Sequence, residues 1–422
     1  MRLDRLLLVA LITVTAIVSI SQAFDEPGPV VKRVIESANE GDPDSMFVLG
    51  YMYQEGDDGV EKDLDKAHEW FKKAADKGHV EAMIALAFMY QKGDPVRPDP
   101  YRTIYWLQKA AEKDDANAMF YLGELYHRGK GVAVNLPEAV RWYKKAARAG
   151  EPHAMYWLGD MYKNGTGVQQ SDEQTYHWFQ KAAEAGDISA MYYLATMYEE
   201  GVGTDQDIDK AVKWYEAAAD EGNSDAMYSL GTLAREGRGM PRDIDAAVEW
   251  FSKAAKQGNS DAMLQLGLMF DNGEGVALDP EKAVKWLEKA AQGGNLRAMQ
   301  LLGLKYLNGD TVGKDLEKAA NLLLPPANDG LVKAMLALAE IYRSDSPFMQ
   351  DKDKAVEWVR KAAQAGNLTA ILDLAQMYLK GEGVEQDKEK ALAWYKKAAD
   401  KGSDVAAEKV EELEDKGLLN IF

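Results

Sequence analysis

Cysteine is missing from all 422 residues. That absence excludes disulfides, thiol nucleophiles, Cys-ligated zinc, iron–sulfur clusters and a lipidated N-terminal cysteine. Histidine is nearly missing too, at five residues, and basic side chains are in deficit: 50 Lys and Arg face 69 Asp and Glu, a formal net charge of -19. A nucleic-acid binder needs a basic footprint to displace phosphate counterions, so this balance excludes nucleic acid as a partner. The 46% hydrophobic and 28% charged residues are globular values and exclude a disordered chain. Length alone admits two or three ordinary domains or one array of repeats.

One apolar run stands at the N-terminus. Arg2 and Arg5 precede an uncharged stretch from Leu6 to Ile20, followed by Ser21-Gln22-Ala23. This order reads as a secretory signal peptide over residues 1–23, with small residues at the cleavage site and Phe24 opening the mature chain. The stretch falls short of the roughly 20 residues that span a bilayer, so no transmembrane segment is expected after cleavage. An exported chain without cysteine is unusual for a eukaryotic extracellular space, where disulfides are readily used, and more natural for a bacterial periplasm, so a periplasmic or secreted location is expected.

A period runs through the rest. Trp70, Trp106, Trp142, Trp178, Trp214, Trp250 and Trp286 fall 36 residues apart, and after Leu322 the register resumes at Trp358 and Trp394. Ala82, Ala118, Ala154, Ala190, Ala226, Ala262, Ala298, Ala334 and Ala370 keep the same spacing. Ala118, Leu122 and Tyr126 form an i, i+4, i+8 stripe, which predicts a first helix in each unit. A second helix follows, opened by a capping column (Asp63, Asp99, Asn135, Ser171, Asp207, Asp243, Asp279, Asp315, Asp351, Asp387) and closed by glycines from Gly78 to Gly402 that only Asp114 interrupts. The tryptophans are expected to fill the wedge between neighbouring units, Trp157 standing outside that column.

The pattern A-x-x-x-L-G-x-x-Y, G-x-G-V, D-x-x-K-A-x-x-W-Y-x-K-A-A-x-x-G, nearly complete from Ala370 to Gly402, resembles the Sel-1-like repeats, relatives of the tetratricopeptide repeats. The resemblance implies an all-α fold: a right-handed α/α superhelical solenoid of about ten 36-residue helix-turn-helix repeats over residues 42–402. It also implies a scaffold or adaptor in signalling, secretion, envelope assembly or host contact, since the motif residues build the frame and no active centre.

Solenoid ends need caps. Residues 24–41 read as a linker and capping helix, and 403–422 as a final capping helix with an apolar tail, Leu418-Leu419-Asn420-Ile421-Phe422, that folds back on the last unit or docks on a partner. Pro325 and Pro326 stand where a helix is expected, and the next loop has Asp345 and Pro347 in place of glycines. The expectation is a helix kinked or ended at the prolines and a loosened array; repeat drift without consequence is the alternative.

Catalytic elements do not converge. There is no G-x-S-x-G, H-E-x-x-H, Walker loop, dinucleotide fingerprint or calcium loop, and the recurrent Gly-x-Gly turns, once per unit after a helix, read as turns and not phosphate loops. His127 and His153 are expected roughly 15 Å apart from helical rise, too far to share a metal. No catalytic, cofactor or metal residue is therefore assigned. The face opposite the Ala118 stripe is expected to line a concave groove, by similarity to tetratricopeptide arrays. Its columns are Phe120, Tyr156, Tyr192 and Tyr228, then Glu124 and Asp160, flanked by Tyr121, Trp157 and Tyr193. Tyrosine and tryptophan offer large contact area with few rotatable bonds, so this wall is the candidate site for a protein or peptide partner. Packing between units is the competing account of the Phe120 column. Peptidoglycan or another glycan stacking on the rings is a second binding reading, and a cell-wall hydrolase using Glu124 and Asp160 as a carboxylate pair is the enzymatic one. Further along, Leu264, Leu336 and Leu372 replace the aromatics, as either a greasier second site or a self-association face.

Overall fold

The computed structural model describes residues 28–56, 59–346 and 349–415. The signal sequence, the apolar tail from Leu418, and Pro347 with Phe348 lie outside the described residues. Among the described residues all regular structure is α-helical, 22 helices in all. Ten pairs, such as Ala116–Arg128 with Leu136–Arg148, form the repeats; Pro29–Glu40 precedes them and Asp404–Asp415 follows. The chain divides into two compact units, one holding the residues up to Ala190 with Val202–Thr204, the other Met191–Gly201 and the residues from Asp205 onward. Each unit is a helical-repeat solenoid in which a second helix packs on the first helix of its own repeat and on the first helix of the next.

Side chains at fixed columns start and stop these helices. All ten expected capping residues of the second helices sit at the N-cap, each accepting from the backbone N–H three residues on. Each such cap stabilises a helix by about 1 kcal/mol. Accepting these backbone bonds holds the carboxyls of Asp63, Asp207, Asp279, Asp351 and Asp387 below the usual range. The Lys of D-x-x-K has two partners: Lys390 pairs with Asp387 at 2.9 Å while its ammonium stands 5.6 Å from the Tyr378 ring centre. Lys66, Lys210, Lys282, Lys318 and Lys354 repeat the arrangement over Tyr53, Tyr198, Phe270, Tyr306 and Tyr342. At the other end of the second helix the closing column keeps positive φ throughout, and Asp114, at 61°, adopts it without being glycine.

The tryptophans fill the wedge only in part. Trp106, Trp142 and Trp358 are buried, but Trp70, Trp178, Trp214, Trp250, Trp286 and Trp394 remain half-buried, with a lysine three residues on lying 3.8 Å from the ring centre at Trp70 and 4.0 Å at Trp394. The next residue is the plug: Phe71, Leu107, Tyr143, Phe179, Tyr215, Phe251, Leu287, Leu323 and Val359 are each at most 2% exposed. Phase explains the difference. One residue is about 100° of helix turn, enough to swing Trp to the rim and its successor into the core. The glycine of L-G in the first helix receives the plug: a Cβ on Gly123 would lie 2.5 Å from Cδ1 of Tyr143, and one on Gly159 equally close to Phe179.

The prolines neither end nor break their helix. Leu316–Asn328 runs through both, and Asp329 and Leu331 donate their N–H groups to the carbonyls of Pro325 and Pro326. Each proline forgoes the N–H bond to the carbonyl four residues back, but their own carbonyls still close the helix, and Pro326 takes the buried place of the first alanine in the A-A pair. The departure lies in the next helix. Val332–Arg343 opens at Leu331 with no side-chain cap and closes at Ser344 in extended backbone where its counterparts use left-handed glycine. Leu264 is buried, and Leu336 and Leu372 pack against core clusters. Leu264 is core packing, while Leu336 and Leu372 are half-buried against the core.

Candidate functional site

Phe120, Tyr121, Glu124, Tyr156, Trp157 and Asp160 belong to the first unit; Tyr192, Tyr193 and Tyr228 belong to the second. In both, the Phe120 column lies over the plug of its own repeat: Phe120 on Tyr143, Tyr156 on Phe179, Tyr192 on Tyr215 and Tyr228 on Phe251, with ring centres 5.7–5.8 Å apart. Phe120 is buried, and the three tyrosines are half-buried. Burial pushes the Tyr192 hydroxyl upward in pKa, and Tyr215 beneath it donates to Glu199 at 2.8 Å. This column joins the outer surface to the core.

The flanking residues make contacts across repeats. In the first unit Tyr121 meets Phe88 of the preceding repeat edge-on at 4.8 Å, and Trp157 meets His127 edge-on at 5.3 Å. Within repeats, Phe120 touches Tyr121 at 5.6 Å and Tyr156 touches Trp157 at 5.7 Å. The result is a wall in which Phe88, Tyr121, Tyr156 and Trp157 are half-buried and Phe120 is buried beneath them. Arg128 stands 5.7 Å from the Trp157 ring centre and pairs with Glu124 at 2.8 Å. Asp160 accepts from Asn164 at 3.0 Å. Burial holds His127 below the usual imidazole pKa, and its Nδ1 lies 3.3 Å from the Tyr143 hydroxyl. Phe88 and Arg128 were missed from sequence. Phe88 stands 36 residues before Glu124 in the same column, so following that column backward locates it; Arg128 carries no such signal, being one turn beyond Glu124. In the second unit Tyr192 touches Tyr193 at 5.4 Å, and the Tyr193 carbonyl accepts from the Thr196 hydroxyl.

A polar ladder runs along the helix starts. Asn259 and Asn295 each cap their own helix and donate Nδ2 to Asp225 and Asp261 of the repeat before, at 2.9 and 2.7 Å. In the first unit, Nδ1 of His153 lies 2.7 Å from Asp187, which is buried and caps its own helix through the N–H of Ala190. Glu151 caps in the same way, and burial raises its pKa. Among the described residues no group of three or more His, Asp or Glu is placed to hold a metal ion, and no helix is long and apolar enough to cross a membrane.

The Sel1 repeat model matches ten times, over residues 43–79, 80–115, 116–151, 152–187, 188–223, 224–259, 260–295, 296–325, 332–367 and 368–403. The chain belongs to the Sel1 repeat family. Its similarity extends to a solved protective antigen of uropathogenic Escherichia coli strains with an SLR fold: 33% identity, TM-score 0.72, covering 92% of this chain and 83% of that one. A Sel1 repeat protein from Oxalobacter formigenes shares 26% identity at TM-score 0.50, over 95% and 98% of the two chains. No curated protein matches. The eighth Sel1 match stops at residue 325 and the ninth begins at 332, the same stretch in which Pro326 replaces alanine and Leu331 provides no cap.

Proposed function

We propose that this Sel1 repeat chain is a non-catalytic exported scaffold or adaptor that holds a protein or peptide segment against the aromatic wall of its first helices. The fold is of the scaffold kind typical of protein–protein interaction. One observation carries the reading: Phe88 with Tyr121 and His127 with Trp157 meet across repeat boundaries, and all four rings stay half-buried. Half-buried aromatic rings already held by neighbours lose little side-chain freedom on binding. Glu124, Asp160 and Arg128 add polar points along the same wall. Glu124 and Asp160 have Arg128 and Asn164 as their partners, which favours a role in orienting a ligand over one as a catalytic pair. Export rests on the N-terminal sequence, and a periplasmic or secreted location follows from it.

Tyr121 and Trp157 are the residues to test, because Tyr156 and Phe120 also support the plug. Partners are first identified by photo-crosslinking from position 157 in envelope fractions. The double variant Tyr121→Ala, Trp157→Ala should keep its helical signal and lose at least about ten-fold in affinity for the identified partner. Wild-type affinity in a folded double variant would remove the wall from the proposal. Retention on purified sacculi, lost in the same variant, would replace the peptide with a glycan.

A further inference from the structure

An open cavity of about 810 Å³ lies away from the aromatic wall, between the second helices Pro100–Ala111 and Leu136–Arg148 of adjacent repeats in the first unit. Its lining includes Gln108, Met119, Trp142, Lys145 and Arg148. Three features meet at it. The first is charge. These two helices and their ends carry Arg102, Lys109, Arg141, Lys144, Lys145 and Arg148 against Asp99, Glu112, Asp114 and Glu138; Asp99, Glu112 and Glu138 pair with Arg102, Lys109 and Arg141, which leaves Lys144, Lys145 and Arg148 as a local basic excess in a chain with a net charge of -19. Glu112 and Asp114 also reach the cavity, but Lys109 holds Glu112 at 2.8 Å. Among the described residues Arg148 makes no ion pair.

The second feature is apolar surface. Tyr101 is 86% exposed and Tyr105 51% exposed, and with Gln108 and Glu112 they follow i, i+4, i+7, i+11 spacing along one helix face that leads to the cavity. The third is Trp142. It is 7% exposed, its ring lies 4.3 Å from the Lys145 ammonium, and its indole N–H, like that of Trp178, has no acceptor among the described residues. A buried donor without an acceptor forgoes the bond that water gave it in the unfolded chain.

We propose that this cavity docks an acidic peptide segment of a partner protein, with a carboxylate meeting Lys145 and Arg148 and an adjacent apolar side chain entering against Trp142 and Met119. The concave shape favours a side chain over a flat lipid surface, and the basic patch complements a carboxylate-rich strand. Tyr101 and Tyr105 extend the contact along the helix. The cavity shares the helix Ala116–Arg128 with the wall through Met119, but its charged and aromatic lining, Trp142, Lys145 and Arg148, comes from a second helix and includes none of the wall residues.

The test uses the full chain and fluorescein-labelled peptides, acetylated and amidated, in which glutamates flank a central phenylalanine or leucine; the controls carry lysine for glutamate. Polarisation should show binding of the acidic set and at least about ten-fold weaker binding of the lysine set. Raising salt from 50 to 200 mM should weaken the acidic set. The variant Lys145→Glu, Arg148→Glu should lose at least about ten-fold, and Trp142→Phe, which keeps the apolar ring and removes the N–H, should lose less. Tyr121→Ala with Trp157→Ala should leave this binding unchanged, which separates the two sites. Arg148→Gln and Tyr105→Ser serve as milder variants should the charge reversal unfold the repeat. Equal affinity for acidic and lysine peptides, or unaltered affinity in the folded basic-site variants, overturns the proposal. So does binding to phosphatidylglycerol vesicles without binding to acidic peptides, which would assign the patch to a membrane surface.

Discussion

At the scale of single residues, the pairing of glycine with the plug gives a ranked expectation. Replacing Gly123 by Ala gains roughly 0.5–1 kcal/mol of helix propensity but drives a methyl to 2.5 Å from the buried Tyr143 ring, an overpacking that costs about 1–3 kcal/mol. Gly123→Ala should therefore lower the denaturation midpoint. Gly267→Ala, whose methyl would meet Cδ2 and Cγ of Leu287 at 3.0 and 3.1 Å and the Ala283 carbonyl at 3.4 Å, should cost less than Gly123→Ala; equal midpoints for the two would contradict the plug. Glu151 gives a pH-dependent case. Burial raises its folded pKa above the ordinary value, while His153 lowers it and Asp187 raises it. The folded state thus binds more protons than the unfolded one, and stability is lost as pH rises through the folded pKa. Glu151→Gln keeps an acceptor for Ala154 and removes the ionised form. Melting curves should show the variant more stable than wild type at pH 7, with the gap closing as pH falls below the ordinary glutamate range. A gap that widened on acidification would show that the charged cap dominates.

At the scale of elements, the weak point moves from the prolines to the helix after them. Leu316–Asn328 has its cap at Asp315, its plug at Leu323 and closing bonds at Asp329 and Leu331, so it should exchange amide protons as slowly as Ile244–Lys256. Val332–Arg343, uncapped at Leu331 and ending without left-handed glycine, should fray from both ends faster than Ser260–Asn272, which Asn259 and Gly273 close. Hydrogen exchange resolved by fragment distinguishes the two; faster exchange in Leu316–Asn328 would restore the prolines as the soft point. Helix starts, stops and the 36-residue period were legible in sequence because each is local: a capping side chain and a left-handed glycine act within four residues of where they stand. The plug was not. Trp and its successor differ by one residue of phase, and only the packing of the first helix shows which of them faces inward. Of the candidate wall, the columns were legible but not their roles, since the Phe120 column proved to rest on the plug and Phe88 and Arg128 contribute from outside the residues expected.

At the scale of the whole molecule, stability in such an array is close to a sum of repeat and nearest-neighbour terms. Excising residues 260–295, one complete Sel1 match, joins Asn259 to Leu296 in register. The shortened chain should stay helical and unfold cooperatively, with helical signal reduced in proportion to its length; an aggregated or largely unhelical product would show that the repeats are not interchangeable. The plug pairing adds a constraint of another kind. Gly50, Gly123, Gly159, Gly231, Gly267 and Gly303 each receive a plug from their own repeat, while the corresponding Ala87, Ala195, Ala339 and Ala375 share repeats with Leu107, Tyr215, Val359 and Tyr395. Receptor and plug are encoded about twenty codons apart, inside one copy. When duplicated copies of the gene recombine, a crossover in the turn between repeats passes on matched pairs, whereas one falling between receptor and plug can set an alanine beneath a phenylalanine plug, which in this chain is met only by glycine, at Gly50, Gly159 and Gly231. The reading frame would survive both events, but the second leaves a chain with a clash at its core, so inherited changes in repeat number should have their junctions in the turns.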